Sequence, residues 1–238
     1  MILSHRHRFI FLKTKKTAGT SVELALSHVC GPDDVVTPIA GKEDVKNAGH
    51  VPRNYDIPPD RRPWFWRLKK LWGADDRHAG LCYWNHMTAE QVRNRAGAKT
   101  FDAYRKVSIE RNPWDREVSY YFWLYKKADT RPTFEEFVLT DKWRKPVNNF
   151  EIYSLKSRIV ADVVLRYERL SEDFAAFVGD LGIADPPELP HAKTGVRPDG
   201  AGDYRSFYTD ETREAVGRIY AREIAAFGYT FEAPARIP

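Results

Sequence analysis

Lys16, Thr17, Ala18, Gly19, Thr20 and Ser21 place one ammonium, three hydroxyls and a glycine in six consecutive positions, with Lys15 immediately ahead. Residues of these types at this density suit an anion, because hydroxyls and backbone N–H groups can converge on phosphate oxygens while a lysine meets their charge. Further along, Arg111 and Ser119 put a guanidinium fork and a hydroxyl within two helical turns of each other, a pairing suited to a phosphate monoester. Taken alone, Arg111 reads rather as the partner of an acid and Ser119 as a packing residue. The first run is not a Walker A loop. That loop needs a glycine at its entrance and Lys-Ser/Thr after its last glycine, whereas here the lysines precede Gly19.

These residues need elements to hold them. Phe9 to Leu12 is a short apolar run read as a strand, and Val22 to Leu26 is compatible with a helix, so Lys16 to Ser21 fall on a strand-to-helix turn. Lys106 to Glu110 reads as a second core strand, which puts Arg111 at its carboxyl end, where open α/β sheets bind ligands. Asn112 can cap the next helix with Pro113 in its first position, and Trp114, Val118, Tyr121 and Tyr125 form its apolar stripe. Capping boxes at Thr88–Gln91 and Thr133–Glu136 open two further helices, the first ending near Gly97. Val160 to Leu165 reads as a buried parallel strand and Ser171 to Leu181 as an amphipathic helix ending at Gly182. Residues 184 to 205 read as a long Pro- and Gly-rich loop, and Thr209 caps a last helix with Gly228 past its end. The alternation predicts an α/β fold, a P-loop-like three-layer arrangement with a central parallel β-sheet flanked by helices.

The chain has 238 residues, 42% hydrophobic and 13% aromatic, enough for a full core and inconsistent with a disordered chain. One domain over residues 1–238 is expected, with a loop-rich insertion at about 40–80. A balance of 38 basic against 33 acidic residues leaves +5, which favours an anionic ligand over a nucleic-acid wrapper. Cys30 and Cys82 lack a metal or redox spacing and read as reduced thiols of a cytoplasmic protein. Met1 to Arg8 has no signal-peptide character, no stretch approaches the ~20 apolar residues of a membrane span, and His5 and His7 read as solvated rather than as metal ligands.

Lys16-Thr17-Ala18-Gly19-Thr20-Ser21 resembles the 5′-phosphosulfate loop of PAPS-dependent sulfotransferases, where PAPS is 3′-phosphoadenosine 5′-phosphosulfate. Arg111 to Ser119 resembles their 3′-phosphate motif, and Val164 to Leu170 their third conserved strand and its exit. The likeness runs roughly from Arg8 to Phe231 and is nearest to the carbohydrate, heparan 2-O-like branch and its small bacterial members. It implies sulfuryl transfer from PAPS to a hydroxyl, most naturally of a carbohydrate, with no metal required. Lys15, where the family has proline, leaves two candidates for the working lysine, and the register with Thr17 and Gly19 favours Lys16. Lys15 to Ser21, Arg111 and Ser119 would hold the nucleotide, with Lys193 and Arg197 closing over it from the late loop unless that loop is simply solvated. Sulfuryl transfer also needs a base for the acceptor hydroxyl. His86, ahead of the capped helix at Thr88, is the candidate, with His50 and His78 as weaker substitutes and a helix-flanking histidine as the plain alternative.

Pro63 to Gly73 (Pro-Trp-Phe-Trp-Arg-Leu-Lys-Lys-Leu-Trp-Gly) falls outside the resemblance. It reads as a short helix with Trp64, Leu68, Leu71 and Trp72 on one face among basic residues. Packing on the domain or across a homodimer, a lip for a glycan acceptor, and a peripheral membrane contact are its three readings. Two rival functions accompany the leading one: a P-loop nucleotide kinase-like phosphotransferase, and a non-catalytic module binding anionic glycans.

Overall fold

The computed structural model describes residues 1–39, 50–58, 81–142, 144–190 and 202–232. Its centre is a five-stranded sheet of β1 (Ile2–Ser4), β2 (Phe9–Leu12), β3 (Val35–Val36), β4 (Arg105–Glu110) and β7 (Val163–Arg166), in the order β3-β1-β2-β4-β7. The strands β2, β4 and β7 are parallel. Their carboxyl ends therefore share one edge. A short hairpin of β5 (Ser154–Leu155) and β6 (Arg158–Ile159) stands apart.

All four residues of β2 are buried because both sheet faces are covered. Phe9 and Phe11 point to one side, where they meet α1 (Gly19–Val29) through Val22 and Leu26, and α6 (Leu170–Asp180) through Phe174 and Phe177. Ile10 and Leu12 point to the other, against Val92 of α2 (Ala89–Ala96), Phe101 of α3 (Ala98–Ala103), Phe150 and Tyr153. The two-residue period of a strand thus feeds two cores, giving the expected three layers. A third core joins α4 (Pro113–Leu124), α5 (Phe134–Leu139) and α7 (Asp210–Ile219) through Trp114, Val118, Tyr121, Phe137 and Val216.

The expected caps are present. Thr88 and Thr133 each form a capping box, and Asn112 accepts from the Trp114 N–H with Pro113 in the first turn. Three expectations change. β1 and β3 run antiparallel to their neighbours, so the sheet is mixed rather than wholly parallel. The strand expected over Val160 to Leu165 begins at Val163, because the Val160 and Ala161 N–H groups go to the Tyr153 carbonyl; it lies at the sheet edge, with Val163 and Val164 half-buried. The single last helix is two, α7 and α8 (Ala221–Phe227), separated at Tyr220. The Tyr220 hydroxyl donates to Glu117 and accepts from the Val147 N–H, which fixes the break in the core.

Cys30 and Cys82 are free thiols, and burial pushes Cys30 up to about 12. Among the described residues no helix is long and apolar enough to cross a membrane.

Candidate functional site

The β2–α1 loop sits on the carboxyl edge of the sheet and is tied there on both sides. Thr14 Oγ1 donates to the Ile109 carbonyl at 2.6 Å, and Ser108 Oγ donates to the Leu12 carbonyl at 2.8 Å. Asn149, fully buried, clamps the loop from across the fold, accepting from the Lys15 N–H at 2.8 Å and donating to the Lys15 carbonyl at 2.9 Å. Lys16 and Ala18 adopt left-handed backbone conformations, φ 63° and 60°. Left-handed residues alternating with others turn successive N–H groups to one side, and each costs on the order of 1 kcal/mol in a non-glycine residue. Helix α1 then starts with no side-chain cap and no acid in its first turn, so the positive end of its dipole faces the loop, while the Ser21 N–H goes to the Ala18 carbonyl at 3.0 Å. Gly19 is required by space: a Cβ there would lie 3.0 Å from Lys13 Cγ and 3.3 Å from the Thr14 carbonyl oxygen.

Beneath the loop the charges are settled. Lys13, only 5% exposed, pairs with fully buried Glu23 of α1. Burial alone would raise the Glu23 carboxyl, but the Met1 ammonium and Lys13 overcome that and hold it at about 2. Lys13 is thus committed to the floor. Lys15 is exposed and Lys16 half-buried. Thr17 is fully buried with its hydroxyl on Thr14 Oγ1 at 2.7 Å, so its contribution to an anion is its backbone N–H. Thr20 and Ser21 lie in the first turn of α1.

Arg111, directly after β4, lies over this loop. Its Nη1 donates to the Lys16 carbonyl at 3.3 Å, and its Nε (2.8 Å) and Nη2 (2.6 Å) grip Asp115 Oδ2. Its guanidinium stacks 3.9 Å from the centroid of the Tyr167 ring, just past β7. Arg111 therefore pairs with an acid, the plain reading of a lone arginine, and also touches the backbone of the β2–α1 loop. Asp115 and Ser119 follow at four-residue intervals on one ridge of α4, and Trp123 continues it. The Trp123 ring centroid lies 5.5 Å from Lys16 Nζ, so this ridge meets both motifs.

His86 reaches the loop from the other side. Its Nδ1 lies 3.0 Å from the Lys13 carbonyl, which can only accept, so Nδ1 carries the proton and Nε2 holds the free lone pair. Burial, and then the nearby Lys13 charge, lower its pKa to about 4, so the ring is neutral near pH 7. His86 also has a positive φ of 63°, the third such residue around this edge after Lys16 and Ala18. His50 is buried behind it, with Nε2 at 3.1 Å from the Thr37 carbonyl.

The model of the Sulfotransferase family matches residues 1–230, the span that carries all of these groups. The chain belongs to the sulfotransferase family. An uncharacterized protein of Archaeoglobus fulgidus is 38% identical over 108 residues, covering 43% of this chain and 87% of its own length. A crystal structure of mouse sulfotransferase SULT7A1 complexed with PAP aligns over 94% of this chain and 86% of that one, at 16% identity and a TM-score of 0.46.

In this sulfotransferase the described residues bring Lys15 to Ser21, Arg111 and His86 to one sheet edge, with Ser119 on the α4 ridge beside them. Lys193, Arg197, His78 and the aromatic-basic segment 63–73 lie outside the described residues. Sequence reasoning missed Asn149, Asp115, Tyr167 and Trp123. The four-residue spacing of Arg111 and Asp115 was a usable signal for that pair. Asn149 contacts a residue 134 positions away, and nothing local in its sequence marks it.

Proposed function

We propose that the protein transfers the sulfuryl group of PAPS to a hydroxyl of an acceptor, and that the acceptor is a carbohydrate. The observation that carries this reading is the Arg111 to Lys16 contact, which puts a guanidinium and an uncapped helix N-terminus on one edge in a chain of the sulfotransferase family. The donor has a phosphosulfate at one end of its ribose and a phosphate at the other. The β2–α1 loop, with its converging N–H groups, suits the former. Arg111 and Ser119, at the start of and along α4, suit the latter.

In the transfer step the acceptor oxygen attacks sulfur and the bond from sulfur to the 5′-phosphate oxygen breaks. The electron pair leaves on that oxygen, and Lys16 meets the growing charge. The acceptor proton passes to His86 Nε2. The Lys13 carbonyl holds the Nδ1 proton and so fixes the tautomer that can accept it. A histidine with a lowered pKa is a weaker base, but it is deprotonated across the whole neutral range.

Calorimetry with PAP, followed by sulfate transfer from labelled PAPS onto a panel of glycans, lipids and phenols, tests the reading in two stages. Absence of PAP binding at millimolar concentration rejects the donor. Transfer to phenols or lipids but to no glycan rejects the acceptor class. A cytoplasmic location belongs to the same proposal and is read from fractionation, while sedimentation and vesicle binding separate the dimer and membrane readings of 63–73 from the others.

A further inference from the structure

Among the described residues Trp123 is an exposed aromatic that reaches the β2–α1 loop. It is 43% exposed, although it stands on a helix whose other face is core. Its ring is not loose: it stacks on Tyr120 at 6.0 Å and 23°, and Tyr120 packs on Phe137 of the third core at 6.0 Å. Two ammonium groups lie over it, Lys16 Nζ at 5.5 Å and Lys126 Nζ at 5.3 Å from the centroid. Four residues before it on the same ridge is Ser119, and eight before it is Asp115, the partner of Arg111.

We propose that Trp123 is a positioning residue for sulfuryl transfer, its indole face holding the Lys16 ammonium at the mouth of the β2–α1 loop. This rests on the reading of Lys16 as the group that meets the leaving phosphate.

The choice of an indole has a physical reason. Lys16 follows exposed Lys15 in the loop, and its ammonium lies over the Trp123 ring. A carboxylate would hold it by a charge-assisted hydrogen bond that must be broken, and would repel an anionic donor. An aromatic face attracts the ammonium through its quadrupole and offers no acceptor to be replaced. Lys16 is therefore ordered before the donor arrives, and an arriving phosphate outcompetes the ring. What the ring contributes is pre-orientation of a four-carbon side chain, which lowers the cost of placing charge in the transition state.

The test compares Trp123→Ala and Trp123→Phe with the wild-type protein. Lys16 ε-methylene resonances, assigned with Lys16→Arg, are expected to be ring-current shifted upfield in the wild type and normal in Trp123→Ala. Addition of PAP is expected to move the wild-type signal toward the unshifted position. Trp123→Ala is expected to lower kcat about tenfold, with the PAP Kd within about threefold, and Trp123→Phe to recover most of that loss. An unshifted Lys16 signal in a PAP-binding wild type overturns the inference alone, as does a Trp123→Ala kcat within about twofold of wild type. Equal loss of kcat in both variants, or loss of PAP binding together with Tm, assigns Trp123 to packing and also overturns it. A wild type that fails to bind PAP overturns the donor reading and this inference with it.

Discussion

Arg111 Nη1 donates to the carbonyl oxygen of Lys16, so a side chain at the end of β4 bonds the backbone of the β2–α1 loop. The two anion motifs, 95 residues apart, are thereby one structure. Arg111→Ala is expected to weaken PAP by about 30-fold, in the range for a lost charged contact. Adenosine 5′-phosphosulfate, which lacks the 3′-phosphate, is expected to lose less. Calorimetry with both nucleotides checks the ordering, and equal losses would show that Arg111 serves the loop alone.

Lys16→Ala is expected to reduce kcat by about 10²–10³ while PAP still binds, because the charge it meets develops only as sulfur leaves. Single-turnover kinetics with PAPS separates this from a binding defect. Lys15→Ala, at an exposed position, is expected to keep turnover near wild type by the same measurement.

His86 carries a sign as well as a role. Its pKa in the folded protein is about 4, below the ordinary 6.5. The unfolded chain therefore binds the proton first, and stability is full above pH 6.5 and falls as pH drops from 6.5 toward 4. His50, also lowered by burial, adds to that slope. Urea titrations at several pH values are expected to show the decline, and His86→Gln to flatten it. The acid limb of kcat/KM is expected near pH 4 rather than 6.5 if His86 is the base, and His86→Gln is expected to abolish transfer.

Asn149→Ala removes both bonds to the Lys15 backbone and leaves a part-buried N–H and carbonyl without those partners. A stability loss of about 1–3 kcal/mol is expected, together with weaker PAP binding as the loop loses its tether. Thermal unfolding and calorimetry on the same sample read the two effects.

Arg116 is the largest fully buried side chain among the described residues, pairing with Glu110 at 2.5 Å and Glu223 at 3.4 Å, while Tyr153 donates to Glu110 at 2.6 Å. Arg116→Met strands two carboxylates in the core and is expected to cost about 3–5 kcal/mol by denaturant unfolding.

Much of this was legible in the chain because its signals are local. A strand ending in hydroxyls and glycine, Asn112-Pro113 opening a helix, and the Thr88 and Thr133 boxes each act over four residues or fewer. The edge position of β7 and the antiparallel β1 and β3 were not legible, although the parallel direction of β7 was: Val160 to Leu165 is apolar enough for a central strand, and the pull of the Tyr153 carbonyl shortens it. The Tyr220 break has the same origin, since its hydroxyl contacts Glu117, 103 positions away. At the site, side chains that carry charge announced themselves. Those that aim them, Asn149 and Trp123, act through contacts between distant segments and carry no local mark.

The ridge of α4 has one more consequence. From Asp115 to Trp123 a helix rises ~12 Å at 1.5 Å per residue, and it does not stretch. With Arg111 fastened to Asp115 and Lys16 resting on Trp123, α4 sets the separation of the two positions that hold these cationic side chains. Molecules that carry a single anionic group can satisfy one end only. Under the proposed donor reading, selection becomes a matter of span, set by the pitch of a helix rather than by the strength of any one contact.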